Sequence, residues 1–250
     1  MNSTAVVVPV YTLSLTPFEQ VSLQQCVRVF ANRPVYLVKP EHLDVSPLLR
    51  QFPNLRVKSF PNEYFTGISG YNRLLCSEFF YEAFAEHEWM LICQTDAFVF
   101  RDDLDQWTAR GYDYVGAPQF GDIGPRITGD RTLREKLSPY LQWPILNGGL
   151  SLRRLSACIR LLKAYHRFRK DWPGNEDHFF SLHFPRLIPF RGLMNLPRPK
   201  EALAFAMEME PARSVEINGG QLPMGVHAWF KYDLPFWKPY IAGLGFNVEG

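Results

Sequence analysis

The first half of the chain alternates apolar runs of strand length with segments of helical period, and that alternation admits few folds. Ala5 to Tyr11 reads AVVVPVY. Such a β-branched run suits a strand buried on both faces, as in a parallel sheet. Thr16-Pro17 follows as an N-cap with proline at the first helical position, and Val21, Leu23, Val27 and Phe30 lie behind it. Pro34 to Val38 and Leu55 to Phe60 predict further strands. Tyr71 to His87 predicts a helix with Leu74, Leu75, Phe79, Phe80 and Phe84 on its buried side. Met90 to Phe100 and Tyr112 to Ala117 predict two more strands. The expected fold is α/β: one Rossmann-like domain whose mixed, mostly parallel central sheet is flanked by helices. Ligands in such sheets bind beyond the C-terminal strand ends, and Asp96 lies toward such an end.

The chain has 250 residues, enough for one large domain with a substantial core. It shows no internal repeat and no low-complexity linker. Hydrophobic residues make up 46% and charged residues 21%, which excludes a disordered chain. A net charge of +2 is too small to hold nucleic acid by bulk electrostatics. Cys26, Cys76, Cys93 and Cys158 form no CxxC pair and sit in apolar contexts, so free buried thiols in a reducing compartment are expected. The start, MNSTAVVVPVY, lacks a basic n-region, and no run reaches the ~20 apolar residues of a membrane span. The expected location is cytoplasmic.

Gly121 to Pro144 has no clear period and reads as a long loop over the site. Leu155 to Arg169 predicts a helix. Arg153, Arg154, Arg160, Lys163, Arg167, Arg169 and Lys170 lie on or near one side of it. A solvated basic face explains them; contact with an anionic acceptor, or a peripheral contact of 153–170 with an anionic membrane surface, is the other reading. Lys200 to Met209 predicts a short helix.

Chemistry concentrates in a few segments. Asp96 lies in the apolar run LICQTDAFVF, where a carboxylate needs a partner or a cation. A divalent metal bridging to a diphosphate would supply one; capping a turn or pairing with an arginine would serve equally. His227 in GVHAW is either a satisfied core histidine or a metal ligand beside Asp96. Glu176 and Asp177 stand at an expected helix start, suited to capping or, held still and ionised, to a general base. Asn147-Gly148-Gly149 reads as a turn that lets backbone approach a ligand. Arg73 would grip a diphosphate or pair with a surface acid such as Glu78.

Together VVVPVY, LVKPE, GYNRLL, QTDAFVFRDDLDQW, YDYVGAP, NGGLSLR, NEDHFF and LPMGVHAWFKY resemble the GT-A superfamily of nucleotide-sugar-dependent glycosyltransferases. More closely, residues 5 to 240 look like a bacterial glycosyltransferase-like family known only as a domain of unknown function. The resemblance implies that Asp96 matches the last acid of the Asp-x-Asp metal motif, with Thr95 beside it, and that His227 completes the metal site. It implies Asp177 as the base of inverting members and Glu176 as the residue holding the acceptor. Val8, Pro9 and Tyr11 would line the nucleotide pocket, and Asn147, Gly148 and Gly149 would face the donor sugar. Gln94 stands where the first acid of the metal motif belongs, so a metal-independent enzyme stays open.

The expectation is an enzyme that moves a sugar from a nucleoside diphosphate donor, UDP being the expected carrier, to a hydroxyl of a glycan or glycolipid. Mn²⁺ or Mg²⁺ would be the cofactor and surface polysaccharide assembly the setting. Residues 1–118 would form the nucleotide-binding half and 119–250 the acceptor-binding half. A retaining transferase, a non-catalytic sugar-binding domain and a phosphodiester hydrolase are the alternatives.

Overall fold

The computed structural model describes residues 3–119, 145–183, 185, 190 and 192–248. The expected loop over 121–144 lies outside them. Strands β1 (Thr4–Pro9), β2 (Val35–Pro40), β3 (Arg56–Phe60) and β4 (Trp89–Cys93) run parallel to one another in the main sheet. A further pair, β6 (Tyr114–Gln119) and β7 (Ile145–Arg154), completes it, in the order β3-β2-β1-β4-β7-β6. Only β7 runs against its neighbours. This is the mixed, mostly parallel sheet of the sequence reading. Every residue of β1 is buried. Its side chains alternate between two cores: Ala5 and Val7 face one, Val6 and Val8 the other.

Helix α1 (Pro17–Val29) begins where Thr16-Pro17 predicts. Thr16 Oγ1 accepts from the Glu19 amide, and the Glu19 carboxylate accepts from the Thr16 amide, a reciprocal capping box. The short helix α2 (Ser46–Gln51) follows β2. All four cysteines are free and buried, as expected. No helix among the described residues is long and apolar enough to cross a membrane.

Several sequence expectations change. The helix expected over Tyr71 to His87 is two: α3 (Gly67–Leu75) and α4 (Glu78–Glu82). Ser77 separates them, and its hydroxyl donates to the Leu74 carbonyl at the end of α3. Phe79 is consequently exposed, on the rings of Phe60 and Tyr64. The strand expected over Met90 to Phe100 is also two. After β4 the chain turns at Gln94-Thr95-Asp96, where the Ala97 amide donates to the Gln94 carbonyl at 2.9 Å. It then enters β5 (Phe98–Val99) of a second sheet, with β8 (Ala206–Met207) and β9 (Gly225–Val226). Asp96 therefore stands at the seam of two sheets. The expected Gly-Gly turn lies within strand β7, at an irregularity where the pairing with β6 passes from Asn147 to Ser151.

The basic segment divides likewise. Helices α5 (Leu104–Ala109) and α6 (Leu155–His166) bracket β6 and β7 in sequence. Arg153 and Arg154 belong to β7, and Arg153 is fully buried. Arg154 pairs with Glu88, Lys163 with Glu82, and Arg160 donates to the Leu193 carbonyl. Three of the seven basic residues, Arg153, Arg154 and Lys163, are thus paired with carboxylates. The segment expected to be helical to Met209 is helix α7 (Pro199–Phe205) running directly into β8.

Candidate active site

A cavity of about 600 Å³ opens at the C-terminal ends of β1 and β4, where a parallel sheet places its ligands. Pro9 and Tyr11 line one wall; Val8 does not reach it, being 1% exposed and turned into the core. Thr95 and Asp96 enter from the β4–β5 turn, Asn147 to Gly149 from β7, Glu176 and Asp177 from the start of a helical segment, and His227 from just after β9. Arg73 does not line this cavity but a neighbouring one, so the structure separates it from Asp96.

Asp96 is surrounded by positive charge. Its Oδ2 accepts from Lys231 Nζ at 2.6 Å, and its Oδ1 lies 3.2 Å from His227 Nε2. Burial raises the Asp96 pKa, but the hydrogen bonds and charges of His227 and Lys231 outweigh it and hold the group well below the carboxylate range. Burial lowers the His227 pKa, yet Asp96 and Glu208 bring it to about 9. Glu208 Oε1 stands 2.9 Å from His227 Nδ1. Glu208 also accepts from Asn147 Nδ2 and Gln119 Nε2, which orients both the imidazole and the glycine segment.

Asp96 and His227 offer two donor atoms to a divalent cation, in competition with Lys231 and with the proton on His227. Asp96 Oδ1 is a buried carboxylate oxygen without a well-formed hydrogen bond. It faces an imidazole nitrogen whose opposite nitrogen is held by a carboxylate, the usual support of a metal-bound histidine. Gln94 Oε1 lies 3.3 Å from the same Nε2. No group of three or more His, Cys, Asp or Glu among the described residues is placed to hold a metal alone. A cation here would therefore need ligand oxygens as well.

The glycines of β7 are required by space. Neither takes a positive φ. A Cβ on Gly148 would fall 2.0 Å from Glu176 Oε1, and one on Gly149 2.1 Å from His227 Nε2. Gly149→Ala is expected to displace His227 from Asp96 and to cost about 1–3 kcal/mol, the usual penalty for overpacking. A urea midpoint equal to wild type would show that His227 yields without cost.

Glu176 is held by Arg153, whose Nη2 donates to its Oε1 at 2.6 Å. Arg153 also donates to Ser151 Oγ and to the Tyr81 hydroxyl, and its guanidinium lies 5.0 Å from the Tyr114 ring centroid. The neighbouring Asp177 is buried, and the His178 imidazole, 3.9 Å from its Oδ1, has its own pKa lowered by burial. Asp177 Oδ1 accepts from the His178 amide at 2.7 Å. Burial, then the charge of Glu176, raise its pKa to about 7 against the opposing pull of that amide and of Arg153. The sequence reading expected a helix start to favour the ionised form; desolvation outweighs the amide. The segment after Asp177 is itself π-helical over His178–His183.

Sequence reasoning missed Arg153, Glu208 and Lys231. Reading LNGGLSLRR as a strand would have placed Arg153 on the same face as Ser151. Lys231 stands four residues after His227. Ala228 between them takes φ 50°, a left-handed turn that reverses the chain, so that both side chains reach Asp96. No local signal marks Glu208. On the cavity wall the Tyr71 hydroxyl is buried without a well-formed hydrogen bond, the Gln94 side chain being the polar group it meets. Buried polar atoms left open in this way are suited to a ligand.

The chain is similar to several solved structures. TarS of S. aureus (residues 1–349) is 17% identical, with TM-score 0.41 over 72% of this chain and 54% of that one. The glycosyltransferase GlyE of Streptococcus pneumoniae TIGR4, in its apo form, is 12% identical, with TM-score 0.49 over 90% and 54%. The chain spans about half the length of either. Galactosyltransferase LgtC, solved with donor and acceptor sugar analogues, is 12% identical, with TM-score 0.55 over 98% of both chains. This likeness establishes the fold, which is of GT-A type. No curated protein matches the chain by sequence. Residues 54–227, well over half of the sequence, match the family described as "Protein of unknown function (DUF5672)", and the chain belongs to that family.

Proposed function

We propose that the chain is a glycosyltransferase that moves a sugar from a nucleoside diphosphate, UDP being the expected carrier, to a hydroxyl of a glycan or glycolipid. One observation carries the reading: a cationic cluster around Asp96 and a carboxylate poised near neutrality, Asp177, share one cavity at the strand ends of a GT-A sheet. The two halves of the chain, roughly 1–118 and 119–250, both line it, the first suited to the nucleotide and the second to the acceptor.

In this reading Pro9 and Tyr11 border the base and ribose, and Lys231 opposes the charge of the diphosphate. Asp96 and His227, with Gln94 beside them, would hold a divalent cation, which when bound would neutralise charge on the leaving diphosphate. Asp177 takes the proton of the acceptor hydroxyl as its oxygen bonds to the anomeric carbon and the carbon–oxygen bond to the diphosphate breaks. Attack opposite the leaving group inverts the anomeric centre. Glu176, bound by Arg153, keeps Asp177 in place and by its charge keeps the proton affinity of Asp177 high. Surface polysaccharide assembly is the proposed setting.

Binding to the folded state alone raises stability, by about 2.7 kcal/mol at a hundred times Kd. UDP or a UDP-sugar at millimolar concentration is therefore expected to raise the melting temperature, and more with Mn²⁺ than with EDTA. Asp96→Asn and His227→Ala should each erase the Mn²⁺ increment. If no nucleoside diphosphate shifts the transition, the transferase reading fails; if the increment survives both substitutions, the metal lies elsewhere.

A further inference from the structure

Beside the site lies a second cavity of about 490 Å³, bordered by Ile68, Asn72, Arg73, Asp171, Trp172 and Asn175. Ile68, Asn72 and Asn175 line both cavities. The partition between them is a hydrogen bond, Asn72 Nδ2 to Asn175 Oδ1 at 3.0 Å. Asn72 Oδ1 in turn accepts from the Glu176 amide at 3.3 Å, so this wall is continuous with the segment carrying Asp177.

We infer that this second cavity is a saccharide subsite, in which a pyranose ring of the acceptor packs on the Trp172 indole and directs a hydroxyl into the first cavity. The inference rests on the transferase reading above and adds the place and chemistry of its acceptor. Three features support it. The indole is fixed: Nε1 donates to the Asn175 carbonyl at 2.8 Å, and the ring lies against Phe179 and His183 at 5.8 and 5.2 Å between centroids. Gly174 packs its backbone directly against the ring, since a Cβ there would stand 3.0 Å from the indole. A rigid aromatic surface suits a ligand that is apolar on its ring face and polar around its rim.

The other walls supply that rim. Arg73 is exposed and has no carboxylate partner among the described residues; its one contact is 3.5 Å from the Glu63 carbonyl. Its planar guanidinium can donate to two adjacent hydroxyls. Asp171, also exposed, offers an acceptor on the same cavity. Opposite charges in one small cavity fit a neutral polyol better than a second phosphate. Ile68, 78% exposed at the junction, offers an apolar contact between the cavities.

The test is saturation-transfer NMR of the whole protein with maltose, lactose and chitobiose as probes, alongside UDP with Mn²⁺. At least one disaccharide is expected to receive saturation. Trp172→Ala should reduce that signal roughly three- to tenfold, the size of a lost aromatic contact. Trp172→Phe should retain most of it. Arg73→Ala should also weaken it, with UDP binding unchanged. Undiminished disaccharide signal in folded Trp172→Ala, or no signal on wild type, overturns the subsite. If Trp172→Ala does not fold, Arg73→Ala decides, because that exposed side chain supports no packing: loss of signal upholds the subsite and an unchanged signal overturns it. Trp172-dependent saccharide binding in a protein that binds no nucleotide would keep the subsite and remove the transferase reading. Nucleotide binding with no saccharide signal would do the reverse.

Discussion

Asp177→Asn is expected to lower sugar transfer by about 10²–10⁴-fold, the usual contribution of a positioned base, with donor affinity near wild type. Asparagine keeps the shape and its Oδ1 still accepts from the His178 amide, so the helical segment stays in place. Only the proton acceptor is lost. The pH dependence makes the claim sharper. Asp177 titrates at about 7 in the folded protein, against 3.8 for an ordinary aspartate. Glu176 and Glu208 face it and raise it, while Arg153 and the His178 amide oppose them. Turnover of the wild type should therefore climb as pH rises through about 7, where the carboxylate becomes ionised.

Stability should move the opposite way. Between 3.8 and about 7 the folded protein keeps a proton that the unfolded chain has lost. Stability then falls as pH rises through that window. Asp177→Asn has no proton to lose, so above pH 7 its urea midpoint should exceed that of wild type, and below pH 4 the two should converge. An inactive variant that is also more stable at alkaline pH is the signature of a desolvated functional carboxylate. Near-normal turnover in Asp177→Asn would remove Asp177 from the mechanism and with it the case for inversion, leaving a retaining transferase as the better reading.

Arg153→Met should destabilise the fold by about 3–5 kcal/mol, because removing one partner strands the other as a buried charge. Arg153 is fully buried, and Glu176 is 5% exposed. Tyr81 and Ser151 would also lose the group their oxygens accept from. Glu176→Gln should be costly for the complementary reason, leaving the guanidinium unpaired. The double variant Arg153→Met, Glu176→Gln should recover much of the loss, since it leaves no unpaired charge. Urea denaturation with an unchanged m-value measures all three. Single variants each within about 1 kcal/mol of wild type would mean that water reaches the pair. Because Glu176 adjoins Asp177, Glu176→Gln should also lower the Asp177 pKa by removing a neighbouring negative charge. Its turnover profile should then shift to lower pH.

Local pattern carried the fold a long way. The β-branched run of β1 announces a strand with both faces covered, because only a sheet between two helical layers buries every residue of such a run. Thr16, Pro17 and Glu19 announce the start of α1, because capping is satisfied within four residues of chain. Asp96, Asp177 and His227 stand out because charged groups among apolar residues require a reason, and the fold brings them to one cavity. What no pattern shows is which partner each finds. Gln94-Thr95-Asp96 interrupts an apolar run, and only the pairing of β5 with β9 makes that interruption a passage between sheets. Arg153 reads as one of seven nearby basic residues until β7 is seen wedged between β4 and β6, where its alternation turns that one inward. Lys231 and Glu208 reach Asp96 and His227 from far along the chain, and the Asp177 pKa is set by burial and by Glu176 together. Strand and cap signals are properties of neighbouring residues and survive in the sequence. Desolvation and charge pairing depend on which distant segments exclude water from the same space, and that is decided only when the chain has packed.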